Sequence, residues 1–225
     1  MNRIKFTRTE MLSLKGIYYH PSTAEKPILE DLTLDTKSNG IVIISGSSGS
    51  GKTTLVEVIS GLSGYQKGEI KWNNKKVSAR QRRWLCGLVF QFPERYFLGL
   101  TVGQELRLGH KKLSNEEQIS VLKEVGLDSL ELKQPPEKLS GGQQRRLAIA
   151  VQLLRKPKVL LLDEPTAGLD WSVKNDIIKL LLRLRRNQAI LVVTHEPELF
   201  KNLDIESYEL KGGQLHSQEI FSSFK

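Results

Sequence analysis

The stretch SGSSGSGKTTL, residues Ser45–Leu55, follows directly on the apolar run IVII at positions 41–44. Within this stretch, residues 46–53 fit the pattern G-x-x-x-x-G-K-[ST]. A buried strand, a glycine-rich loop and a helix, in that order, are the context that this pattern requires. A flexible linker would have no use for the single lysine, so the sequence predicts a loop that holds a phosphate group.

The chemistry of this loop follows from its residue types. Glycines allow the backbone to wrap around a phosphate, with successive N–H groups pointing inward and the helix start adding positive potential. Lys52 can reach the β- and γ-phosphates of a nucleotide, and the Thr53 hydroxyl can bind Mg²⁺. The expected binding residues are Gly46, Ser47, Ser48, Gly49, Ser50, Gly51, Lys52, Thr53 and Thr54.

The composition limits the classes of protein to which the chain can belong. Its 225 residues, 39% of them hydrophobic, suit one domain or two small ones, and Cys86 has no second cysteine to pair with. No apolar run approaches the ~20 residues that span a bilayer, and the charged segment Met1–Leu12 predicts no secretory signal. The net charge of +9 fits either solvated helix faces or an anionic partner. Without a ladder of aromatic and basic residues, we expect no nucleic acid partner.

Strand-like and helix-like segments alternate along the chain. SLKGIYY and LTLDT come first, a hairpin is predicted at GEIKWNNKKVS, and KVLLLDEP and AILVVTHE are apolar enough for a parallel sheet covered on both faces. Leu55, Val58, Ile59 and Leu62 predict a helix after the glycine-rich loop. Residues 93–139 have helical character, so we interpret them as an insertion into an α/β core.

Two carboxylates stand at the end of a predicted strand. Asp163 is placed to reach Mg²⁺ directly or through water, and Glu164 follows it. Because neighbours on a strand point to opposite sides, we expect different roles: Asp163 at the metal and Glu164 as general base for an attacking water. His195 follows the next apolar strand, and the residues alone leave open whether it is structural or hydrogen-bonds the γ-phosphate.

The segment LSGGQ, Leu139–Gln143, is a second candidate anion site. Ser140 can cap the helix that follows, while Gly141 and Gly142 expose backbone amides. One nucleotide does not need two γ-phosphate sites in one chain. The second site therefore makes sense if it serves a neighbouring molecule.

The sequence resembles the ATP-binding-cassette (ABC) ATPases over nearly its whole length. The motifs occur in the family's order: the P-loop, a glutamine loop at Gln91, LSGGQ, LLLDEP, an AGLD loop ending at Asp170, and the switch histidine His195. The resemblance implies an α/β P-loop NTPase core with a mixed or parallel sheet and an N-terminal antiparallel β subdomain. It also implies one domain, residues 1–225, with a helical subdomain inserted at about 93–150.

The resemblance further implies an ATPase that works as a head-to-tail dimer with two ATP molecules between the chains. Each ATP would be held by one chain's P-loop and by the other chain's Ser140, Gly141, Gly142 and Gln143. The implied catalytic residues are Glu164, His195, Lys52 and Gln91, and the implied Mg²⁺ residues are Thr53, Gln91 and Asp163.

Three further roles come from the resemblance alone. Gln91 would also sense a transmembrane partner, and Asp170 would communicate across the dimer. An aromatic residue of an early strand would stack on adenine. IYYHPS offers Tyr18, Tyr19 and His20, of which Tyr19 is preferred.

A finer resemblance concerns GLVFQFPE, SGGQQRRLAIA and DEPTAGLD, which look like the ATPase subunits of energy-coupling-factor transporters. Those transporters import vitamins and metal ions. The resemblance implies a peripheral subunit on the cytoplasmic side of a membrane (cytoplasm or plastid stroma), with a second ATPase subunit, identical or not, and transmembrane partners. The alternative from another class is a soluble ABC ATPase of iron–sulfur cluster assembly. A binding module without enzymatic activity is disfavoured by the pair Asp163 and Glu164.

Overall fold

The computed structural model describes residues 11–37, 39–201 and 203–218. The strands in these ranges are β1 (Met11–Tyr19), β2 (Leu29–Lys37), β3 (Ile41–Ser45), β4 (Lys67–Trp72), β5 (Lys75–Lys76), β6 (Cys86–Val89), β7 (Val159–Asp163), β8 (Ala189–Thr194), β9 (Glu206–Lys211) and β10 (Gln214–Ser217). The α-helices are α1 (Lys52–Ser60), α2 (Ala79–Leu85), α3 (Val102–Arg107), α4 (Asn115–Glu124), α5 (Gly141–Leu153) and α6 (Trp171–Leu184). Within the described ranges, no helix has both the length and the apolar character that crossing a membrane requires.

The strands form two sheets of different type. The first is antiparallel with the order β2-β1-β4-β5, and the second has the order β10-β9-β3-β8-β7-β6. In the second sheet, β9, β3, β8, β7 and β6 run parallel, and β10 pairs antiparallel with β9. These two sheets are the N-terminal antiparallel unit and the mixed core sheet that the sequence predicts.

The register of the parallel strands brings their carboxyl ends to one edge of the sheet. Ser45 at the end of β3 is paired with Thr194 of β8, and Asp163 at the end of β7 is paired with Val193 of β8. The glycine-rich loop leaves from Ser45, and His195 follows Thr194. Ligands of open α/β sheets bind outside the carboxyl ends of the strands, so this edge is the expected site.

Both faces of the parallel sheet are buried, which explains its uninterrupted apolar strands. On β3, Ile41 and Ile43 face one hydrophobic cluster, while Val42 and Ile44 face the other. Alternate side chains of a strand point to opposite faces. The first cluster includes residues of α5 and α6, and the second includes residues of α1 and of the antiparallel sheet.

One predicted helix boundary is wrong. The periodicity extended the first helix to Leu62, but α1 ends at Ser60. Gly61 adopts a left-handed conformation with φ 82°, and its N–H reaches back to carbonyls of Glu57 and Val58. Glycine at this position ends helices because it has no Cβ to resist a positive φ. Leu62 lies beyond the cap and is 57% exposed, so it does not pack on the core.

The remaining elements follow the expected order. β4 and β5 form the hairpin predicted at GEIKWNNKKVS. Helices α3, α4 and α5 lie between β6 and β7, where the sequence places the helical insertion, and its boundaries of about 93–150 stay a prediction. Residues 1–10 lie outside the described ranges, so the expected absence of a secretory signal also stays a prediction.

Candidate functional site

The glycine-rich loop needs its glycines for reasons of space as well as of conformation. Gly51 caps α1 with φ 100°, and a Cβ there would lie 2.7 Å from the side chain of Ile28. A Cβ on Gly46 would lie 2.8 Å from the carbonyl oxygen of Leu210 in β9. The loop is therefore held between the two sheets, with the start of α1 at its centre.

Lys52 is the cation of this loop and is buried. Its amine donates hydrogen bonds to the carbonyl oxygens of Gly46 at 2.7 Å and Ser47 at 3.0 Å. It also lies 3.9 Å from a carboxylate oxygen of Glu164. These contacts fix the positive charge inside the loop, where the phosphate groups of a nucleotide are expected.

Thr53 and Asp163 are joined across the site. The Thr53 hydroxyl donates a hydrogen bond of 2.7 Å to the carboxylate of Asp163. Burial raises the pKa of Asp163, since the charged form loses solvation, and the Thr53 hydrogen bond partly opposes this shift. Two of the three residues that the sequence assigns to Mg²⁺, Thr53 and Asp163, thus lie side by side.

Glu164 leaves the strand instead of continuing it. Its φ of 48° is in the left-handed region, and its N–H donates to the carbonyl of Val193 at 2.9 Å. A positive φ is rare for residues other than glycine and marks strain that functional sites often hold. The strand-alternation argument is therefore wrong: Asp163 and Glu164 do not point to opposite sides, and both line the same pocket.

His195 and Glu164 form a close pair at the sheet edge. The ring Nδ1 of His195 lies 2.8 Å from a carboxylate oxygen of Glu164, and the backbone N–H of His195 donates to the same oxygen at 3.2 Å. Glu164 is buried, whereas 56% of the His195 side chain is exposed. The Glu164 carboxylate thus lies inside the protein, where the N–H of His195 orients it, and the His195 imidazole lies at the opening of the site.

These residues enclose a cavity of about 500 Å³. Ten of the residues that the sequence assigned to the site line it: Ser48, Gly49, Gly51, Lys52, Thr53, Thr54, Gln91, Asp163, Glu164 and His195. The sequence missed one lining residue, Ile28, which supplies an apolar wall just before β2. No motif signals Ile28, because its place depends on how the antiparallel sheet packs on the loop.

Tyr19, the residue preferred for adenine stacking, does not line this cavity in the described structure. Its ring packs against the hydrophobic cluster beneath the antiparallel sheet. Its backbone carbonyl accepts a hydrogen bond of 2.9 Å from the N–H of Ile28. Tyr18 instead stacks under the Lys67 amine, and the His20 ring pairs with the Ala24 carbonyl, so the adenine role of Tyr19 stays a prediction.

The LSGGQ segment lies at the start of α5, apart from the cavity. Ser140 caps α5: its hydroxyl accepts from the N–H of Gln143 at 3.4 Å, and the Gln143 side chain accepts from the N–H of Ser140 at 2.9 Å. Ser140 and Gly141 are exposed, and none of the four residues Ser140–Gln143 lines the cavity. This helix start is therefore free to contact a ligand outside its own pocket.

Gly142 has a packing role that the sequence did not indicate. It is buried, and a Cβ there would lie 2.4 Å from a methyl group of Val173 on α6. The first turns of α5 and α6 thus touch directly. Asp170 caps α6 without a side-chain hydrogen bond and is exposed. It lies near the LSGGQ helix because Val173, in the first turn of α6, touches Gly142.

A polar network that sequence reasoning missed links the His195 loop to α6. Glu196 pairs with Lys174 of α6 and accepts a hydrogen bond of 3.1 Å from Thr166. Burial alone would raise the pKa of Glu196, but the hydrogen bonds from Lys174 and Thr166 outweigh it and hold the pKa below its usual value.

The candidate Mg²⁺ ligands come from two neighbouring side chains, Thr53 and Asp163. The described residues contain no cluster of three His, Cys, Asp or Glu side chains able to hold a metal by themselves. Mg²⁺ at nucleotide sites takes one or two protein oxygens together with phosphate oxygens and water. The pair of Thr53 and Asp163 fits that donor set.

The family model described as "ABC transporter" matches residues 29–167 of the sequence. The chain belongs to the ABC transporter family. The match includes the P-loop, Gln91, LSGGQ, Asp163 and Glu164, and ends at Ala167, the first residue of the AGLD loop. As a member of this family, the chain is an ATP-binding and ATP-hydrolysing subunit of a transporter.

Curated relatives of this ABC ATPase match most of its length. "ABC transporter I family member 11, chloroplastic" of Arabidopsis thaliana is 34% identical over 90% of this chain and 78% of the relative. "Energy-coupling factor transporter ATP-binding protein EcfA2" of Spiroplasma kunkelii is 36% identical over 88% of this chain and 70% of the relative.

A solved structure confirms the fold of the ABC ATPase. The solved structure of cbiO1 from Clostridium perfringens, part of the ABC transporter complex cbiONQ, aligns with a TM-score of 0.83 and 29% identity. The alignment covers 92% of this chain and 87% of that chain. The fold class that the sequence predicts is thereby confirmed.

Proposed function

We propose that this ABC ATPase powers an energy-coupling-factor type importer of a vitamin or a metal ion through ATP-driven dimerisation. It acts as a peripheral subunit on the cytoplasmic side of a membrane. One observation carries the proposal: the catalytic groups and the P-loop share one cavity, whereas the exposed LSGGQ helix start stands apart from it. The energy-coupling-factor assignment is supported by relatives that bear this name.

Nucleotide binding begins at the P-loop. The triphosphate lies across the start of α1, where loop amides and the helix dipole favour anions. Lys52 exchanges its bonds with the Gly46 and Ser47 carbonyls for bonds with the β- and γ-phosphates. Thr53, Asp163 and Gln91 are the residues that would hold Mg²⁺, which would screen the charge of the phosphate oxygens.

The residues around Glu164 support hydrolysis at this cavity. Glu164 takes a proton from the attacking water, as a buried carboxylate oriented by the N–H of His195 can do. Lys52, within 3.9 Å of that carboxylate, stabilises the charge that develops on the transferred phosphoryl group. The exposed ring of His195 reaches the γ-phosphate and holds it in line.

The second half of the site comes from a second ABC ATPase subunit. Ser140, Gly141, Gly142 and Gln143 of one chain bind the γ-phosphate of the ATP held by the other. A Cβ on Gly141 would lie 3.3 Å from Leu169, so the AGLD loop adjoins this surface. Asp170 then meets the partner chain beside the shared nucleotide, which suits a role in communication.

A groove next to Gln91 supports contact with a transmembrane partner. It has a volume of about 200 Å³ and is lined mainly by apolar residues, including Leu88, Phe90 and Phe97. Tyr96, Leu98 and Leu100 beside this groove are between 59% and 79% exposed. Clustered exposed apolar side chains mark interaction sites. Gln91 transmits the movement of dimer closure to the transmembrane partner that binds in this groove.

Copurification tests the assignment most simply. The chain, tagged and extracted with its membranes in mild detergent, is expected to bring down a transmembrane subunit and a second ATPase subunit. A variant with Leu98→Asp and Leu100→Asp is the matched comparison and is expected to lose the transmembrane subunit while still binding ATP. Recovery of a soluble iron–sulfur scaffold, with no membrane protein, would support the assembly ATPase instead.

A further inference from the structure

Arg145 is a buried cation in the middle of the molecule that the catalytic scheme does not use. It lies on α5, five residues after Ser140, and only 2% of it is exposed. Its guanidinium donates to the carbonyl oxygens of Phe90 at 3.4 Å and Ala167 at 3.2 Å. Its Nε has no hydrogen-bond partner among the described residues, and no carboxylate forms an ion pair with it there.

Burial makes this placement unfavourable for a charged group. Loss of solvation lowers the pKa of Arg145, and the fields of Glu94 and Asp163 offset this only in part. An apolar side chain of similar size often stabilises a protein as well as a buried charge does. The two carbonyl groups that the guanidinium binds therefore explain its presence better than a contribution to folding stability does.

The two carbonyls that Arg145 holds belong to two loops beside the cavity, and neither loop is a helix or a strand at that point. Phe90 directly precedes Gln91, and Ala167 lies between Glu164 and Asp170. The loops also touch each other, since a Cβ on Gly168 would lie 3.6 Å from the Phe92 ring.

The helix that carries Arg145 begins at the surface that serves the partner's nucleotide. Ser140 caps α5, and Gly142 packs against Val173 at the start of α6. A helix transmits displacement along its axis because its backbone hydrogen bonds keep it rigid. A displacement of the start of α5 would therefore move the Gln91 loop and the Ala167 segment through the hydrogen bonds of Arg145.

We propose that Arg145 is a positioning residue that couples the two nucleotide sites of the dimer. It aligns Gln91 and Glu164 of its own chain when the LSGGQ helix of that chain engages the partner's ATP. This inference rests on the shared nucleotide sites of the proposed function. It assigns Arg145 no contact with the nucleotide.

The test compares Arg145→Met and Arg145→Lys with Arg146→Met, the neighbouring arginine. Arg146 donates to the carbonyls of Gly142 and Gly126 and to neither cavity loop, so its variant is a matched control. For each purified chain we would measure the Kd for ATP, kcat, KM, the Hill coefficient of hydrolysis and the Tm. The same variants in a Glu164→Gln background would be run on a sizing column with Mg²⁺ and ATP.

In Arg145→Met we expect the ATP Kd to stay within about threefold while kcat falls about tenfold, within the usual range of coupling between sites. The Hill coefficient, at most 2 for two sites, should fall towards about 1. Arg145→Lys, which keeps the charge and can reach one carbonyl, should recover part of kcat. Arg146→Met should keep the Hill coefficient of the parent.

Two results would overturn the role of Arg145 alone. One is an unchanged kcat and Hill coefficient in Arg145→Met, with the Glu164→Gln chain still forming a dimer. The other is an equal loss of kcat and Tm in Arg145→Met and Arg146→Met, which would show a merely structural role. If the Glu164→Gln chain stays monomeric with Mg²⁺ and ATP, the shared site of the proposed function fails, and the coupling fails with it.

Discussion

Two helix starts in this ABC ATPase are built to meet phosphate, and their surroundings differ. The start of α1 is enclosed: Lys52, Asp163 and Glu164 are all buried around it. The start of α5 is open: Ser140 and Gly141 are exposed, and no residue of Ser140–Gln143 lines the cavity. The first brings together Lys52, the proposed metal ligands and the proposed base, whereas the second offers only amides and a hydroxyl.

Under the proposed function, one chain contains one complete binding half and one complementary half. Backbone amides at a helix start attract an anion but supply no group that activates water. In the proposed dimer, the open half therefore acts on a phosphate that another chain presents. Each variant below disturbs one half while sparing the other, and the expected effects decrease from one to the next.

The largest effect is expected for Glu164→Gln, which removes the base from the enclosed half. The amide keeps the size of the side chain and its contact with the N–H of His195, so ATP binding should survive. kcat should fall by about 10³, within the range for loss of a general base. A phosphate-release assay measures it, with the exposed Glu198→Gln as control. Normal hydrolysis by Glu164→Gln would refute its role as base.

Lys52→Ala should weaken nucleotide binding by about 100-fold or more. Hydrogen bonds to charged groups contribute about 1.5–3 kcal/mol each, and in the proposed complex Lys52 makes at least two of them with phosphates. Titration with a fluorescent ATP analogue gives the Kd directly. Lys179→Ala removes an exposed lysine of α6 and serves as control. Unaltered affinity in Lys52→Ala would contradict the account of the P-loop.

Gly142→Ala tests the packing of the open half. The added methyl would lie 2.4 Å from Val173, and overpacking of this kind costs about 1–3 kcal/mol. Thermal unfolding should show a Tm lower by several degrees, and the double variant with Val173→Ala should restore much of it. Gly141→Ala, where the methyl would lie 3.3 Å from Leu169, should have a smaller effect. Equal Tm values for both single variants would argue against this contact.

Asp163→Asn should separate stability from function in the enclosed half. Since burial raises the pKa of Asp163, the folded state disfavours its charge. At Asp163 the folded protein binds a proton more tightly than the unfolded chain does. The charged carboxylate therefore destabilises the fold at a pH above the folded-state pKa, and this effect is relieved as the pH falls through that pKa. Asp163→Asn should thus raise the Tm slightly at pH 7 while Mg²⁺-dependent hydrolysis is lost. A lower Tm at pH 7 would contradict the direction of the shift.

Much of the fold and site could be predicted from the sequence because local patterns determine them. An apolar run followed by a glycine-rich loop with a lysine predicts a strand, a phosphate-binding loop and a helix in that order. Parallel pairing then places the carboxyl ends of the strands at one edge of the sheet. The helix cap at Ser140 was likewise readable, since serine and glutamine three residues apart form a capping box.

The features that escaped prediction depend on contacts between distant segments. Ile28 enters the cavity only through packing of the antiparallel sheet, and Gly142 is required by Val173 on another helix. Glu164 looked like the next residue of a strand, but its backbone turns at φ 48° and brings it to the same side as Asp163. The carbonyl partners of Arg145 lie 55 and 22 residues away along the chain.

The central claim is that two copies of the chain share each ATP, and one measurement tests it directly. The Glu164→Gln chain, with Mg²⁺ and ATP, is compared by analytical ultracentrifugation with the same chain carrying Ser140→Arg. Ser120→Arg, on the exposed face of α4, is the control. The account predicts a dimer for Glu164→Gln and for the control, and a monomer that still binds ATP for Ser140→Arg. A dimer that forms equally well with Ser140→Arg, or no dimer in any of the three, would contradict it.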